Sequence, residues 1–324
     1  MSPWWAHSVW GGPGAWSGAI LLCTPLPLLG QAITITGRIL HGGLDHRPVT
    51  RQWAVIHELR PEGGGAVDST RTDRGGRYRL RLARVDTGAL YLVGTTYQDV
   101  GYFSPPLRVE PWGRTEAAPL VVYDTSSAGP ALQLERRLLM LFRSRGRGRP
   151  VREVIAISNP GDHARIASDS LHPVWTLLLP SGVTGWEVRE GDISPETMWL
   201  VGDTIKIFAP IWPGPPRQAS YEYALAGSSV RIPVDQWTGG LGILVEDTTA
   251  VVSGAPFDTL GVQQLEGRRF AAYRTGPLRA GSRLSVKLSS DLLDVERLLP
   301  FVVGVTALVL ACGLWVALRR KRTA

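Results

Sequence analysis

Between residues 33 and 288 the apolar positions recur with a period of two rather than three to four. Ile33, Ile35 and Ile39 fall on one face of an extended segment, and Trp53, Val55, His57 and Leu59 fall together on another. Arg77-Tyr78-Arg79-Leu80-Arg81-Leu82 alternates strictly, which sends three cations to water and Tyr78, Leu80 and Leu82 to a core. Residues 132–142 (LQLERRLLMLF) are helical by composition. A loop of Arg, Gly and Pro follows them, then a second apolar run over residues 151–158, and this order predicts a hairpin of two strands. Further strand-like runs lie at 175–179, 185–189, 204–208, 220–224, 242–246, 268–273 and 284–288. Turn signals separate them: residues 61–65 and 73–76, Asn159-Pro160-Gly161-Asp162, Pro180-Ser181-Gly182 and Pro213-Gly214-Pro215-Pro216. No amphipathic helix interrupts the series. The expected fold class is all-β: two antiparallel β-sandwich domains, at 33–125 and 126–290.

The ends break this pattern. A stretch opening at Leu298 and closing at Leu318 has 21 residues without a charge, enough at about 1.5 Å per residue to cross a hydrocarbon core of roughly 30 Å. Asp291, Asp294 and Glu296 precede it, and Arg319, Arg320, Lys321 and Arg322 follow it. Cations collect on the cytoplasmic side, so residues 298–318 are expected to form one C-terminal transmembrane helix, with 319–324 a cytoplasmic basic tail. Ala307/Ala311 and Gly313/Ala317 are small-residue pairs that would seat a partner helix. That topology needs an export signal. Residues 19–29 (AILLCTPLPLL) supply the apolar region and Gly30-Gln31-Ala32 a cleavage-like site, so 1–32 is expected to be a signal peptide, although no Lys or Arg precedes it. A lipoprotein signal at Cys23 is disfavoured by Leu22, where a small residue is needed. The chain is therefore expected in the inner membrane, with its N-terminal part outside the cytoplasm and its C-terminus inside.

Charge then loses most of its apparent meaning. The net charge is +7, but the tail holds four of those charges and residues 33–297 carry only +3. That is too little for the basic stripe that displaces counterions from phosphates, so no nucleic-acid partner is expected. The two cysteines, Cys23 and Cys312, lie in the apolar ends, which leaves no disulfide or thiolate metal site between them.

The first module carries a resemblance. ITITGRI in the first strand, Pro48-Val49 before the second and Thr72-Asp73-Arg74-Gly75-Gly76-Arg77-Tyr78 are similar to the carboxypeptidase regulatory-like domain, a transthyretin-like sandwich. Residues 97–104 (YQDVGYFS) resemble extracellular bacterial versions of it. The resemblance implies a fold and an accessory role without catalysis, with Thr72, Asp73, Gly76 and Tyr78 as structural motif residues. In that reading Asp73 caps the turn, Gly76 supplies the bend and Tyr78 fills the core.

Motifs for catalysis fail one by one. There is no G-x-S-x-G and no S-x-x-K; His57-Glu58 lacks a second His at helical spacing, and no phosphate or dinucleotide loop is present. His41, Asp45 and His46, or Asp162/His163 and Asp169/His172, are the only groupings with metal-ligand chemistry, and loop histidines of this kind are ordinarily solvated. No catalytic residue, cofactor or metal is expected. Candidate ligand contacts are Trp212, the tryptophan expected to be most exposed because it lies in IWPGPP, and Arg145 and Arg147 in the 143–149 loop. The expected function is that of a non-enzymatic, single-pass envelope protein whose modules bind or scaffold a protein or glycan, with the lipid bilayer held through 298–318. The alternatives are an envelope hydrolase with a loop-borne site involving His57 or His172, and an accessory subunit of a membrane complex.

Overall fold

The computed structural model describes residues 33–43, 45–110, 113–144 and 148–288. The expected signal peptide, the transmembrane helix, the basic tail, Arg145 and Arg147 lie outside these residues. Among the described residues no helix is long and apolar enough to cross a membrane.

The described chain is all-β, with one 3-10 turn at Pro195–Thr197. Its first part comprises β1 (Ile33–His41), β2 (Arg47–Pro48), β3 (Trp53–Arg60), β4 (Gly63–Arg71), β5 (Arg77–Leu82), β6 (Leu90–Tyr97), β7 (Val100–Phe103), β8 (Arg114–Glu116) and β9 (Leu120–Val122). One layer is built on β2-β1-β5, with β8 and β9 also on β1, and the other has the order β4-β3-β6-β7. Both contribute to one core, in which Ile35, Ile39, Ile56, Leu80, Leu82, Tyr91 and Val93 are buried. The alternation in β5 has the expected sense, with Tyr78, Leu80 and Leu82 inward.

In β3 the shared face of Trp53, Val55, His57 and Leu59 is the outer one. Ala54 and Ile56 point into the core, while Trp53 is 48% exposed and Leu59 41%. The reason is cross-strand. Val55 lies opposite Gly94, whose neighbour is Phe103, and the Phe103 ring lies over Gly94 where a Cβ would come within 2.9 Å of it. Trp53, Val55 and Leu59 thus share the outer face with Phe103, while Ala54 and Ile56 join the core.

The second part comprises β10 (Thr125–Ser126), β11 (Gln133–Leu141), β12 (Arg149–Ser158), β13 (Ala164–Arg165), β14 (Trp175–Leu178), β15 (Thr184–Val188), β16 (Met198–Val201), β17 (Thr204–Ile207) and β18 (Arg217–Leu225). It continues with β19 (Ser229–Pro233), β20 (Leu241–Val245), β21 (Val251–Ser253), β22 (Asp258–Leu265), β23 (Arg268–Thr275) and β24 (Arg283–Lys287). A seven-stranded sheet, β15-β18-β12-β11-β20-β23-β22, forms one layer. Facing it across a second core are two separate three-stranded sheets, β14-β17-β16 and β19-β24-β21. The hairpin expected from residues 132–158 is present as β11 and β12. Pairing is not wholly antiparallel: β8 and β9 on β1, β20 on β11, and β13 on β10 are parallel.

The two cores are linked by a set of polar and aromatic contacts. Gln98 and Asp99 both take positive φ, 46° and 62°, and turn β6 into β7. The Gln98 side chain then donates to Asp124 Oδ1 (2.6 Å) and accepts from the Thr125 amide (2.8 Å). Tyr97 Oη donates to the same carboxylate at 3.0 Å, and His41 Nε2 lies 3.2 Å from its other oxygen.

Candidate binding cleft

The site grows out of one irregularity in the fold: the layer opposite the seven-stranded sheet is split. Between β14 and β19 lies a cleft of about 1060 Å³, lined by Leu178–Ser181, Leu225, Ala226, Ser229–Pro233 and Ser282–Ser285. Its floor is apolar, because Val230, Ile232 and Leu284 alternate inward from β19 and β24. Its rim is polar and basic, because Ser229, Arg231 and Arg283 alternate outward.

The two walls differ in how their backbone is satisfied. Leu177 and Trp175 pair toward β17, so Thr176 and Leu178 turn their backbone groups to the gap. Side chains close that edge: Asp235 Oδ2 accepts from the Leu178 amide (3.0 Å), and Gln236 Nε2 donates to the Thr176 carbonyl (2.8 Å). Trp175 Nε1 holds Gln236 in place at 2.8 Å. On the opposite wall, Leu288 N donates to Ser228 O and Gly281 N to Val234 O, each at 2.7–2.8 Å. In an antiparallel ladder this parity directs Val230 and Ile232 to β24 and leaves Ser229 and Arg231 facing the cleft with both N–H and C=O. Among the described residues no side chain caps them as Asp235 and Gln236 cap β14.

A buried ion pair fixes the end of this free edge. Arg137 on β11 and Glu153 on β12 have side chains 1% and 0% exposed, with Nε to Oε1 at 2.5 Å. Tyr223 Oη donates to Glu153 Oε2 (2.9 Å), and Arg137 Nη1 donates across the core to the Pro233 carbonyl (2.7 Å). Burial disfavours the Arg137 charge, but the Glu153 carboxylate more than offsets it and the guanidinium stays charged. Burial, reinforced by the Glu153 charge, raises the Tyr221 and Tyr223 phenols well above their ordinary range. The sequence did carry a signal for this pair: period two puts Arg137 in phase with Leu139 and Leu141, and Glu153 in phase with Val151 and Ile155. A charge in that phase points into the core.

The residues singled out from sequence sit elsewhere. Thr72 Oγ1 donates to Val49 O (2.6 Å) and accepts from the Gln52 amide (3.0 Å). Asp73 Oδ1 accepts from the Gly75 and Arg77 amides, and the Arg77 contact is the main cause that lowers its carboxyl below the usual range. Gly76 has φ +69°, and a Cβ there would lie 2.6 Å from Ile39 O. Tyr78 is buried against Gly37, and burial pushes its phenol up to about 12. These four form one turn and its packing, remote from the cleft in sequence and without a residue lining it.

Trp212 is not the exposed tryptophan that its Pro-rich setting suggests. It is half-buried between the two cores, tilted on Tyr102 at 5.2 Å between ring centroids, with the Arg217 guanidinium 3.8 Å from its ring centre. Among the described residues the exposed tryptophans are Trp53, Trp199 and Trp237. Arg149, at the end of the 143–149 loop, is buried and donates to Phe142 O at 2.7 Å. His57 lies edge-on to Phe103 on the outer face of β3, and His172 contacts Asp169 at 2.8 Å on the surface. Among the described residues no three His, Cys, Asp or Glu side chains gather as a metal site.

No family model matches the chain, and no curated protein matches it. Among solved structures, an M1 zinc metallopeptidase from Deinococcus radiodurans is similar over 48% of this chain and 42% of its own, at 11% identity and a TM-score of 0.30. The full-length major pilin SpaD from Corynebacterium diphtheriae aligns over 81% of this chain and 88% of its own, at 8% identity and 0.21. A 9R-lipoxygenase from Cyanothece PCC8801 aligns over 30% and 18%, at 15% and 0.22. The chain spans less than half of the peptidase and lipoxygenase chains. Scores this low carry no argument about function.

Proposed function

We propose that this chain is a non-enzymatic, single-pass envelope protein whose two β-sandwich modules, held outside the cytoplasm, bind or scaffold a protein partner through a free sheet edge. The observation that carries this reading is the cleft wall at Ser229 and Arg231, where backbone donors and acceptors face an apolar-floored gap. A row of unpaired backbone groups is a template for another chain, and folded proteins usually blunt or cover it. Here one wall is covered by Asp235 and Gln236, and among the described residues the other has β24 as its sole strand partner and no such cover. The uncharged stretch 298–318 and the four cations after it support the membrane anchor. The Thr72 to Tyr78 turn supports kinship of the first module with carboxypeptidase regulatory-like domains, which act as accessories.

In-cell photo-crosslinking tests the role. A photoreactive residue at Ser229 of the full-length protein is expected to give a discrete adduct with a second polypeptide, and one at Arg74, on the turn of the first module, is not. No adduct from Ser229, or equal adducts from both positions, would overturn the reading.

A further inference from the structure

We infer that the cleft receives an extended polypeptide strand that is acidic on its outward face and apolar on its inward face, added to β19. This rests on the binding role proposed above and names the partner's chemistry.

Three features define the occupant. First, Ser229 and Arg231 each present an N–H and a C=O, so an antiparallel strand beside β19 would form two closely spaced hydrogen-bonded pairs with them. Pro233 ends the template: its carbonyl is already taken by Arg137, and a proline has no N–H. The usable edge is thus residues 229–232, a span of about 13 Å. Second, the inward side chains of the added strand would meet Leu179, Leu225, Val230, Ile232 and Leu284, all buried apolar residues. The incoming strand must therefore be apolar at every second position. Third, the outward face of β19-β24-β21 carries Arg231, Arg283 and Lys287, and none of these three strands has an acid. A strand lying next to Arg231 with carboxylates outward gains cross-strand charge pairs; one with lysines meets like charge. β14 does not compete for the occupant, since its edge is already closed by Asp235 and Gln236.

The test uses the full-length protein in detergent and a capped, fluorescent octapeptide of alternating valine and glutamate, with the valine–lysine peptide as comparison, read by anisotropy. The glutamate peptide is expected to bind at least about tenfold more tightly, the summed discrimination of two or more cross-strand charge contacts. Ser229→Pro removes one edge donor without touching a β24 hydrogen bond, and is expected to weaken binding about tenfold. Arg231→Glu is expected to reverse the peptide preference, and Arg74→Glu to leave it unchanged. Equal affinity for the two peptides would overturn the charge assignment, and full affinity in Ser229→Pro would overturn strand addition. Should Ser229→Pro prove unfolded by circular dichroism, amide exchange in the unaltered protein decides: the peptide must slow the Ser229 and Arg231 amides, and unchanged rates would overturn the inference. Crosslinks from Ser229 in cells without glutamate-peptide binding would refute this partner chemistry and leave the binding role standing; loss of both would refute both.

Discussion

Replacing Glu153 with leucine tests the polar anchor beneath the cleft. The substitution leaves Arg137 charged and buried, with the Pro233 carbonyl as its remaining partner, and takes the acceptor from Tyr223 Oη. Removing one member of a buried pair costs about 3–5 kcal/mol, because the other charge is left uncompensated. The orphaned Tyr223 hydroxyl belongs to the same network, so its own cost of about 1–3 kcal/mol does not simply add. A loss of about 4 kcal/mol is expected, a large share of the 5–15 kcal/mol typical of a folded domain. At about 2–4 °C per kcal/mol for a domain of this size, the melting temperature should fall by about 8–16 °C. Urea unfolding followed by tryptophan fluorescence measures it, since Trp186 packs on Tyr221 at 4.8 Å and reports this core. The double variant Arg137→Met/Glu153→Leu should recover most of the loss, because an apolar pair of similar volume avoids desolvating two charges. A Glu153→Leu protein within about 1 kcal/mol of the wild type would refute the reasoning: it would mean that Arg137 finds water or another anion.

Three further outcomes follow from the same geometry. Gly76→Ala should cost about 1–3 kcal/mol in thermal melts, since it forces a side chain into φ +69° beside the Ile39 carbonyl. Trp212→Ala should cost about 2 kcal/mol, below the range for a fully buried ring, and separate the unfolding of the two cores in calorimetry. Stability should hold to about pH 10 and fall from there through about 12 in alkaline melts. Burial raises the Tyr78 and Tyr102 phenols to about 12 and those of Tyr221 and Tyr223 well above 10, so the unfolded chain releases protons that the folded one retains.

Much of the all-β character was legible because alternation is a local property. The runs that became β5, β12 and β18 show it directly. What local pattern does not contain is which strands meet. The parallel placement of β20 on β11 brings residues about a hundred positions apart together, and neither sequence announces the other. In β3 alternation alone did not say which face turns inward: Trp53 and Val55 lie outside with Phe103 over Gly94, and Ala54 and Ile56 join the core. β22 has all eight residues exposed and so gives no amphipathic signal. The cleft is the deepest omission. β19 is a five-residue strand ending in proline, unremarked in sequence, and its meaning comes only from the strand it does not pair with. Arg137 and Glu153 were readable from their phase, and Trp212 was misjudged because a Pro-rich loop can still be folded back between two cores.

Partner binding at the cleft requires an open β19 edge. Hydrogen exchange resolved to single amides measures this on the unmodified protein. The amides of Ser229 and Arg231 should exchange far faster than those of Val230 and Ile232, which pair with β24, and should become protected when the acidic strand binds. Uniform protection across Ser229–Ile232 in the free protein would show a closed edge and contradict it.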